Sequence, residues 1–172
     1  MRVNDKGMTA LHKREGLRLK PYLDTKGVPT IAMGNTYYLD GRNVKMSDPA
    51  LSPKEANKLS IFVANDFGKY VNSKVTLAVN QDQFNALVSI AYNIGKKGFN
   101  TSTFLKLLNK NPNDPKIAAA IMMWTKDKEL IPRRLEEVNQ YFTNIPNAQI
   151  KGLETKYMAI YKAYKLTLAR NL

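Results

Sequence analysis

The feature that most constrains the fold is a change of punctuation at Ser52. Before it, from Leu17 to Leu51, Gly27, Pro29, Gly34, Gly41 and Pro49 cut the chain into apolar pieces such as "VPTIAM" and "NTYYL", too short for helices. Pieces of that length between turn residues read as small antiparallel strands, and Asp40-Gly41 in "LDGRN" is the clearest hairpin signal. After Ser52 the apolar residues fall at helical spacing. A β-containing lobe followed by a helical one implies an α+β fold, mostly α. A long helix is expected to join the lobes and leave a cleft between them.

The helices announce their own ends. In "SPKEA", Ser52 is placed as N-cap, Pro53 at the first helical position and Glu55 as the return partner of a capping box. Ala56, Leu59, Val63, Phe67 and Tyr70 then predict one helix to about Ser73. Asn80 caps the next, with Phe84, Leu87, Val88, Ala91 and Tyr92 on one stripe and Gly95 as its stop. Ser102 opens a short helix to about Asn109. Asp114-Pro115 opens another, which is expected to hold Trp124 in the core, and Pro132 one more to Tyr141. A break around Pro146 precedes a last helix with Leu153, Tyr157, Ile160, Tyr161, Tyr164 and Leu168 on one face. At the other end, residues 1–14 predict a short helix bearing Met8 and Leu11 and ending near Gly16. The expected organisation is a single domain over 1–172. It comprises a hairpin lobe over about 12–51, a connecting helix over 52–75, a helical lobe over 76–142 and a basic helical extension over 143–172.

Composition narrows the chemistry. No cysteine is present and His12 is the only histidine. Thiolate chemistry, disulfides and zinc sites of two or three histidines are therefore disfavoured, and no cofactor or metal is expected. A Ser-His-Asp triad would have to run through His12, which lies in a basic stretch without a nucleophile motif. Carboxylate chemistry remains. The net charge of +13 calls for a polyanionic partner, and nucleic acid, anionic membrane and bacterial wall all qualify. No recognised nucleic-acid motif is present, so specific nucleic-acid binding is not expected. "MRVNDKGMTA" lacks the apolar core of a signal peptide, and the longest apolar run, Ile117 to Trp124, is too short to span a bilayer.

Carboxylates are concentrated usefully in "HKREGLRLKPYLDTKGVPTIAMGNT", residues 12 to 36. Glycosidic cleavage needs a proton donor for the leaving oxygen and a group that manages the opposite side of an oxocarbenium-like transition state. Glu15, before the flexible Gly16, could project into a cleft, and Asp24 on the following hairpin could face it. Singly, each has an ordinary explanation: a solvated helix-end acid, a tight "DTKG" turn, a strand threonine at Thr30.

As a set, "E-G-L-x-L-x-P-Y-x-D-x-x-G-x-P-T-I" from Glu15 to Ile31 resembles the catalytic segment of phage-type lysozymes, the endolysins of glycoside hydrolase family 24. "SPKEA" from Ser52, "QFNALVSIAYNIG" from Gln83, "STFLKLLN" from Ser102, Trp124 and "RRLEE" from Arg133 resemble later motifs of that family in order. The resemblance covers about residues 8 to 142. It implies a lysozyme-like fold and hydrolysis of the β-1,4 bond between N-acetylmuramic acid and N-acetylglucosamine, with peptidoglycan glycan strands as partner. It implies Glu15 as general acid, with Asp24 and Thr30 positioning or activating water, and an inverting outcome.

Three positions depart from the family pattern. Ala32 stands for a glycine, Asn35 for a common histidine, and Glu129 for a glycine before Leu130. Asn35 and Asn93 are candidate substrate contacts, although Asn93 also reads as a buried hydrogen-bonding residue. Arg133 and Arg134 are expected to pair with Glu136 or Glu137. His12, three residues before Glu15, reads as a helix-face residue able to influence the acid. The last helix is basic. It is expected to dock through its Tyr/Leu/Ile face on the amino-terminal helix or the other lobe, with contact to an anionic membrane or wall as the alternative. A monomer is expected, made in the host cytoplasm and acting on the wall after holin-type release or as a virion component. The rival functions are a lytic transglycosylase on the same bond and a non-catalytic module binding nucleic acid or wall.

Overall fold

The computed structural model describes residues 1–143, 145 and 148–170, so the break expected around Pro146 lies outside the described residues. The chain divides into two compact units, Met1–Tyr70 and Val71–Leu172, and the division falls inside a helix.

The first unit opens with α1 (Asp5–Glu15), capped by Asn4, whose side chain accepts from the Gly7 amide at 3.0 Å. Met8 and Leu11 are its buried apolar pair. The helix stops because Gly16 takes φ 76°, ψ 160°, open to glycine without strain, and its N–H closes on the His12 carbonyl at 2.9 Å. Two strands follow, β1 (Arg18–Leu23) and β2 (Pro29–Ala32), antiparallel, with Tyr22 opposite Thr30 and Leu23 opposite Pro29. An irregularity separates the Arg18–Ala32 pair from the Tyr22–Thr30 pair.

The rest of the expected strand region is mostly turn. Its "LDGRN" hairpin is a single bridge, Tyr37 to Asn43, with Gly41 at φ 83°. Side chains hold it in place of a ladder. Asp48 accepts from Tyr38 Oη at 3.0 Å, from Arg42 Nη1 at 3.0 and 3.1 Å and from the Lys45 amide at 2.8 Å, and Arg42 lies 4.3 Å over the Tyr38 ring. Beneath it Ile31, Ala32, Val44, Ala56 and Leu59 form the core of this unit, joined by Leu17, Leu19, Tyr38 and Leu51.

Helix α2 (Pro53–Lys74) starts as the sequence directs. Ser52 Oγ accepts from the Glu55 amide at 3.3 Å, while Glu55 Oε2 accepts from the Ser52 amide at 2.8 Å and its hydroxyl at 2.6 Å. Its enclosed seam is Ala56, Leu59, Ser60, Ala64 and Val71, so Val63, Phe67 and Tyr70 are only half-buried.

In the second unit α3 (Gln81–Thr101) begins with a complete Asn80–Gln83 capping box. Gly95, expected as the stop, is instead a break inside this span at φ 78°, after which the chain re-enters helix as far as Thr101. Then come α4 (Thr103–Leu108), α5 (Lys116–Met122), a 3-10 turn at Lys128–Leu130, α6 (Ile131–Tyr141) and α7 (Ala148–Arg170). Helix α3 packs on α6, α4 on α5, and α5 on α6. Phe84, Phe99, Phe104, Leu108, Ile117 and Ile121 are enclosed among them, with Phe99 and Phe104 edge to face at 5.4 Å. Trp124 lies just beyond α5, not within it, and is half-buried. It is close enough to Gly98 that an added Cβ there would come within 3.0 Å of its ring.

The basic helix α7 docks inside its own unit, on α5, α6 and the 3-10 turn. Leu153, Tyr157, Met158, Tyr161 and Tyr164 are half-buried, whereas Ile160 and Leu168, expected on that face, are exposed. Glu129 becomes a docking point: Tyr161 Oη lies 3.4 Å from its Oε2 and Lys165 Nζ 3.3 Å from its Oε1. No helix among the described residues is long and apolar enough to cross a membrane.

Candidate active site

Glu15 is the last residue of α1, and β1 starts at Arg18. The Gly16 break thus attaches a half-buried carboxyl directly to the hairpin that carries the other two candidates. Asp24 terminates β1. Its Oδ1 accepts from the Lys26 and Val28 amides, each at 2.8 Å, while its own N–H donates to the Val28 carbonyl at 3.0 Å. Gly27, at φ 77°, lets the chain turn around that carboxylate. These amide donors, with the Lys26 charge behind them, hold the Asp24 carboxyl below its usual range. Asp24 is therefore a fixed anion whose second oxygen, Oδ2, bonds to none of the described residues.

Thr30 is 2 % exposed and donates its hydroxyl hydrogen to the Val28 carbonyl at 2.8 Å. The register places Asp24 across from Val28, so Thr30 is its diagonal neighbour, roughly 7–8 Å away on the same face. The expected Asp24–Thr30 pair is thus assembled by one tight hairpin.

The remaining candidates are elsewhere. Asn35 is 3 % exposed and exchanges both backbone hydrogen bonds with Ile31 at 2.9 Å. Neither atom of its side-chain amide has a hydrogen-bond partner among the described residues. To make this turn, Ala32 adopts φ 53°, the left-handed region in which the family's glycine is at ease. His12 is half-buried, its enclosed Nε2 has no hydrogen-bond partner among the described residues, and burial pulls its pKa below 6.5.

Asn93 belongs to a buried network in the second unit. Its Oδ1 accepts from Arg134 Nη2, and Arg134 Nη1 donates to Glu137 Oε2. Arg134 Nε lies 3.3 Å from the Trp124 carbonyl. Glu137 Oε1 accepts from Ser89 Oγ at 2.6 Å and from Arg133 Nε at 3.1 Å. Arg134 and Glu137 have no exposed surface. Both arginines are thus structural, and the oxygen of Asn93 is already engaged. Sequence reasoning passed over Ser89 as a partner in this network and left Arg18 and Tyr22 on β1 without a role; only strand register exposes the second pair. Among the described residues no group of three His, Cys, Asp or Glu side chains could hold a metal ion.

The model of a family described as phage lysozyme matches residues 12–137. The chain belongs to the phage lysozyme family. The endolysin of Salmonella phage P22 is 37% identical over 143 residues, covering 80% of this chain and 95% of that relative. The endolysin of Bacillus phage PZA is 29% identical over an alignment covering 100% of this chain and 66% of the relative. Among solved structures, a mutant of P22 lysozyme superposes with TM-score 0.75 at 34% identity, covering 83% of this chain and 99% of that one. The endolysin of Escherichia coli O157:H7 phage FAHEc1 gives TM-score 0.75 at 32% identity, over 86% and 98%. The mostly helical fold with its small antiparallel sheet is accordingly lysozyme-like. The lysozyme is a glycoside hydrolase that degrades peptidoglycan, and α7 lies beyond the residues that the family model matches.

Proposed function

We propose that this lysozyme is an N-acetylmuramidase that hydrolyses the β-1,4 bond between N-acetylmuramic acid and N-acetylglucosamine. Glu15 acts as general acid, and Asp24 and Thr30 hold the attacking water. The observation that carries the reading is how the hairpin disposes of hydrogen-bonding capacity. An attacking water must aim a lone pair at the anomeric carbon and donate both hydrogens elsewhere. Asp24 is anchored through Oδ1 and offers Oδ2 as one acceptor. Thr30 has used its hydrogen on Val28, so its oxygen can only accept. Two acceptors, diagonal on one face, suit a single water.

In the proposed step Glu15 gives its proton to the leaving glycosidic oxygen. The water oxygen bonds to the anomeric carbon, and its proton passes to Asp24. Attack by water from the face opposite the leaving group inverts the anomeric centre, for which carboxyls roughly 6.5–9.5 Å apart leave room. A lytic transglycosylase needs no water, so the Asp24–Thr30 arrangement favours hydrolysis over that alternative.

The test is a digest of purified peptidoglycan read by mass spectrometry. Hydrolysis gives reducing muramic acid ends, and anhydro ends would overturn the reading. Glu15→Gln is expected to cut turnover by about 10²–10⁴-fold with folding intact, and a fully active variant would sink the assignment. Named endolysins among its relatives support host-wall lysis as the biological role, after release by a holin-type partner or as part of a virion. The exposed lysines of α7, Lys151, Lys156 and Lys162, suit contact with an anionic wall or membrane surface.

A further inference from the structure

Arg18 and Tyr22 have no part in the chemistry above, yet they occupy the same hairpin. Tyr22 is directly opposite Thr30, so the two side chains leave the sheet on one face, and Asp24, two residues further along, returns to it. The irregularity between Arg18 and Tyr22 lets the arginine fold along the strand. Its Cζ lies 4.2 Å from the centre of the Tyr22 ring. A guanidinium this close to a ring is in cation–π range, and the contact uses none of its N–H donors.

Those donors are uncommitted. Arg42 is bound to Asp48, and Arg133 and Arg134 to Glu137. Arg18 is exposed and forms neither an ion pair nor a hydrogen bond with a described residue. Nor does it tune the anion of the site. The charge that lowers Asp24 is that of Lys26, acting behind two amide hydrogen bonds. A cation held over a ring on the face of the candidate water-holding pair, with no ion partner among the described residues, suits a group that arrives with the substrate.

Peptidoglycan supplies such a group: each muramic acid carries a peptide with free carboxylates. We propose that the stacked Arg18–Tyr22 pair is a subsite for the carboxylate of a stem peptide, placed beside the water-holding pair. Tyr22 serves as the platform and Arg18 as the forked donor to the carboxylate. The subsite rests on the muramidase reading and makes the enzyme selective for peptide-bearing glycan.

The test compares kcat/KM on purified glycan strands bearing stem peptides with kcat/KM on strands stripped of them by an amidase. The selectivity ratio of wild type over that of Arg18→Gln is expected to be about fivefold at low salt, chiefly through KM. It should shrink as salt screens an exposed pair. Tyr22→Phe keeps the platform and should keep the ratio, Tyr22→Leu should lose it, and Arg18→Lys should retain part. An Arg18→Gln ratio equal to that of wild type, or equal losses on both substrates, overturns the subsite. A wild-type enzyme that cleaves neither substrate overturns the muramidase reading, and the subsite with it.

Discussion

Replacing Glu137 by Gln is the sharpest test of what holds the helical unit together. Three donors converge on that carboxylate: Ser89 Oγ at 2.6 Å and Arg133 Nε at 3.1 Å on one oxygen, and Arg134 Nη1 on the other. Glutamine has nearly the same shape but offers one acceptor oxygen and a donor NH₂. In either orientation of the amide, a donor meets a donor. The substitution also removes the negative charge that faces two guanidiniums, one with no exposed surface. Stripping one partner from a buried pair costs about 3–5 kcal/mol. A chain of 172 residues has an unfolding entropy of roughly 0.36 kcal/mol/K at its midpoint, so the melting temperature should fall by about 8–14 °C. Circular dichroism melts of both proteins at neutral pH measure it. Replacing Arg134 and Glu137 together by Met and Leu should cost less than the sum of the two single changes, because the fully enclosed guanidinium is removed with its carboxylate and only the half-buried Arg133 loses a partner. A fall of less than about 3 °C for Glu137→Gln would refute this account.

Three further outcomes are expected. Ala32→Gly should move the melting midpoint by less than about 3 °C, since relief of left-handed strain offsets the lost methyl burial and the added chain entropy. Ala32→Val, β-branched at φ 53°, should lower it by more than about 6 °C. Acidification should destabilise the protein in two stages, read from urea midpoints against pH. Burial lowers His12 below 6.5, so the unfolded chain takes up that proton first and stability starts to fall as pH drops through 6.5; His12→Gln should blunt this stage. Asp24, Asp48 and Glu55 are lowered by hydrogen bonds, so their contribution is present above the ordinary carboxylate range and is lost as pH falls through it. Finally, deletion of residues 150–172 should lower the melting midpoint by more than about 5 °C, because it uncovers the surface under Tyr157, Tyr161 and Tyr164. An unchanged midpoint with weaker wall binding would make α7 a surface element instead.

Local chemistry wrote most of the fold into the sequence. Ser52, Asn80 and Ser102 cap helices because their side-chain oxygens meet amides three residues on, a relation that needs no distant partner. The Asp24–Gly27 turn is equally local: a carboxylate, two amides and a glycine suffice to set it. Glu15, Asp24 and Thr30 were legible as one set only through the motif from Glu15 to Ile31 that resembles the family's catalytic segment; singly each reads as an ordinary helix-end, turn or strand residue.

What failed depended on contacts between distant segments. Gly95 reads as a helix stop, and its φ of 78° is right for one, yet the chain re-enters helix because Phe99 has a core position to fill beside Phe104. The strands expected after Ala32 gave way to turns because Asp48 gathers Tyr38, Arg42 and Lys45 through side-chain bonds that have no period. Ile160 is exposed between the half-buried Tyr157 and Tyr161, and Leu168 is exposed beyond Tyr164, after which no described residue of α7 is buried.

The sequence by itself determined the order of the helices and their main caps, because these follow from short-range hydrogen bonding and periodicity, and it singled out the three candidate catalytic residues through a motif that resembles the family's. The tertiary structure alone decided which of the charged residues spend themselves on one another. Arg133, Arg134 and Glu137 meet Ser89 and Asn93 from more than forty positions away, while Arg18 lies over Tyr22 with no hydrogen bond to a described residue. Pairing of that kind is fixed by where elements pack, and packing is a property of the whole chain.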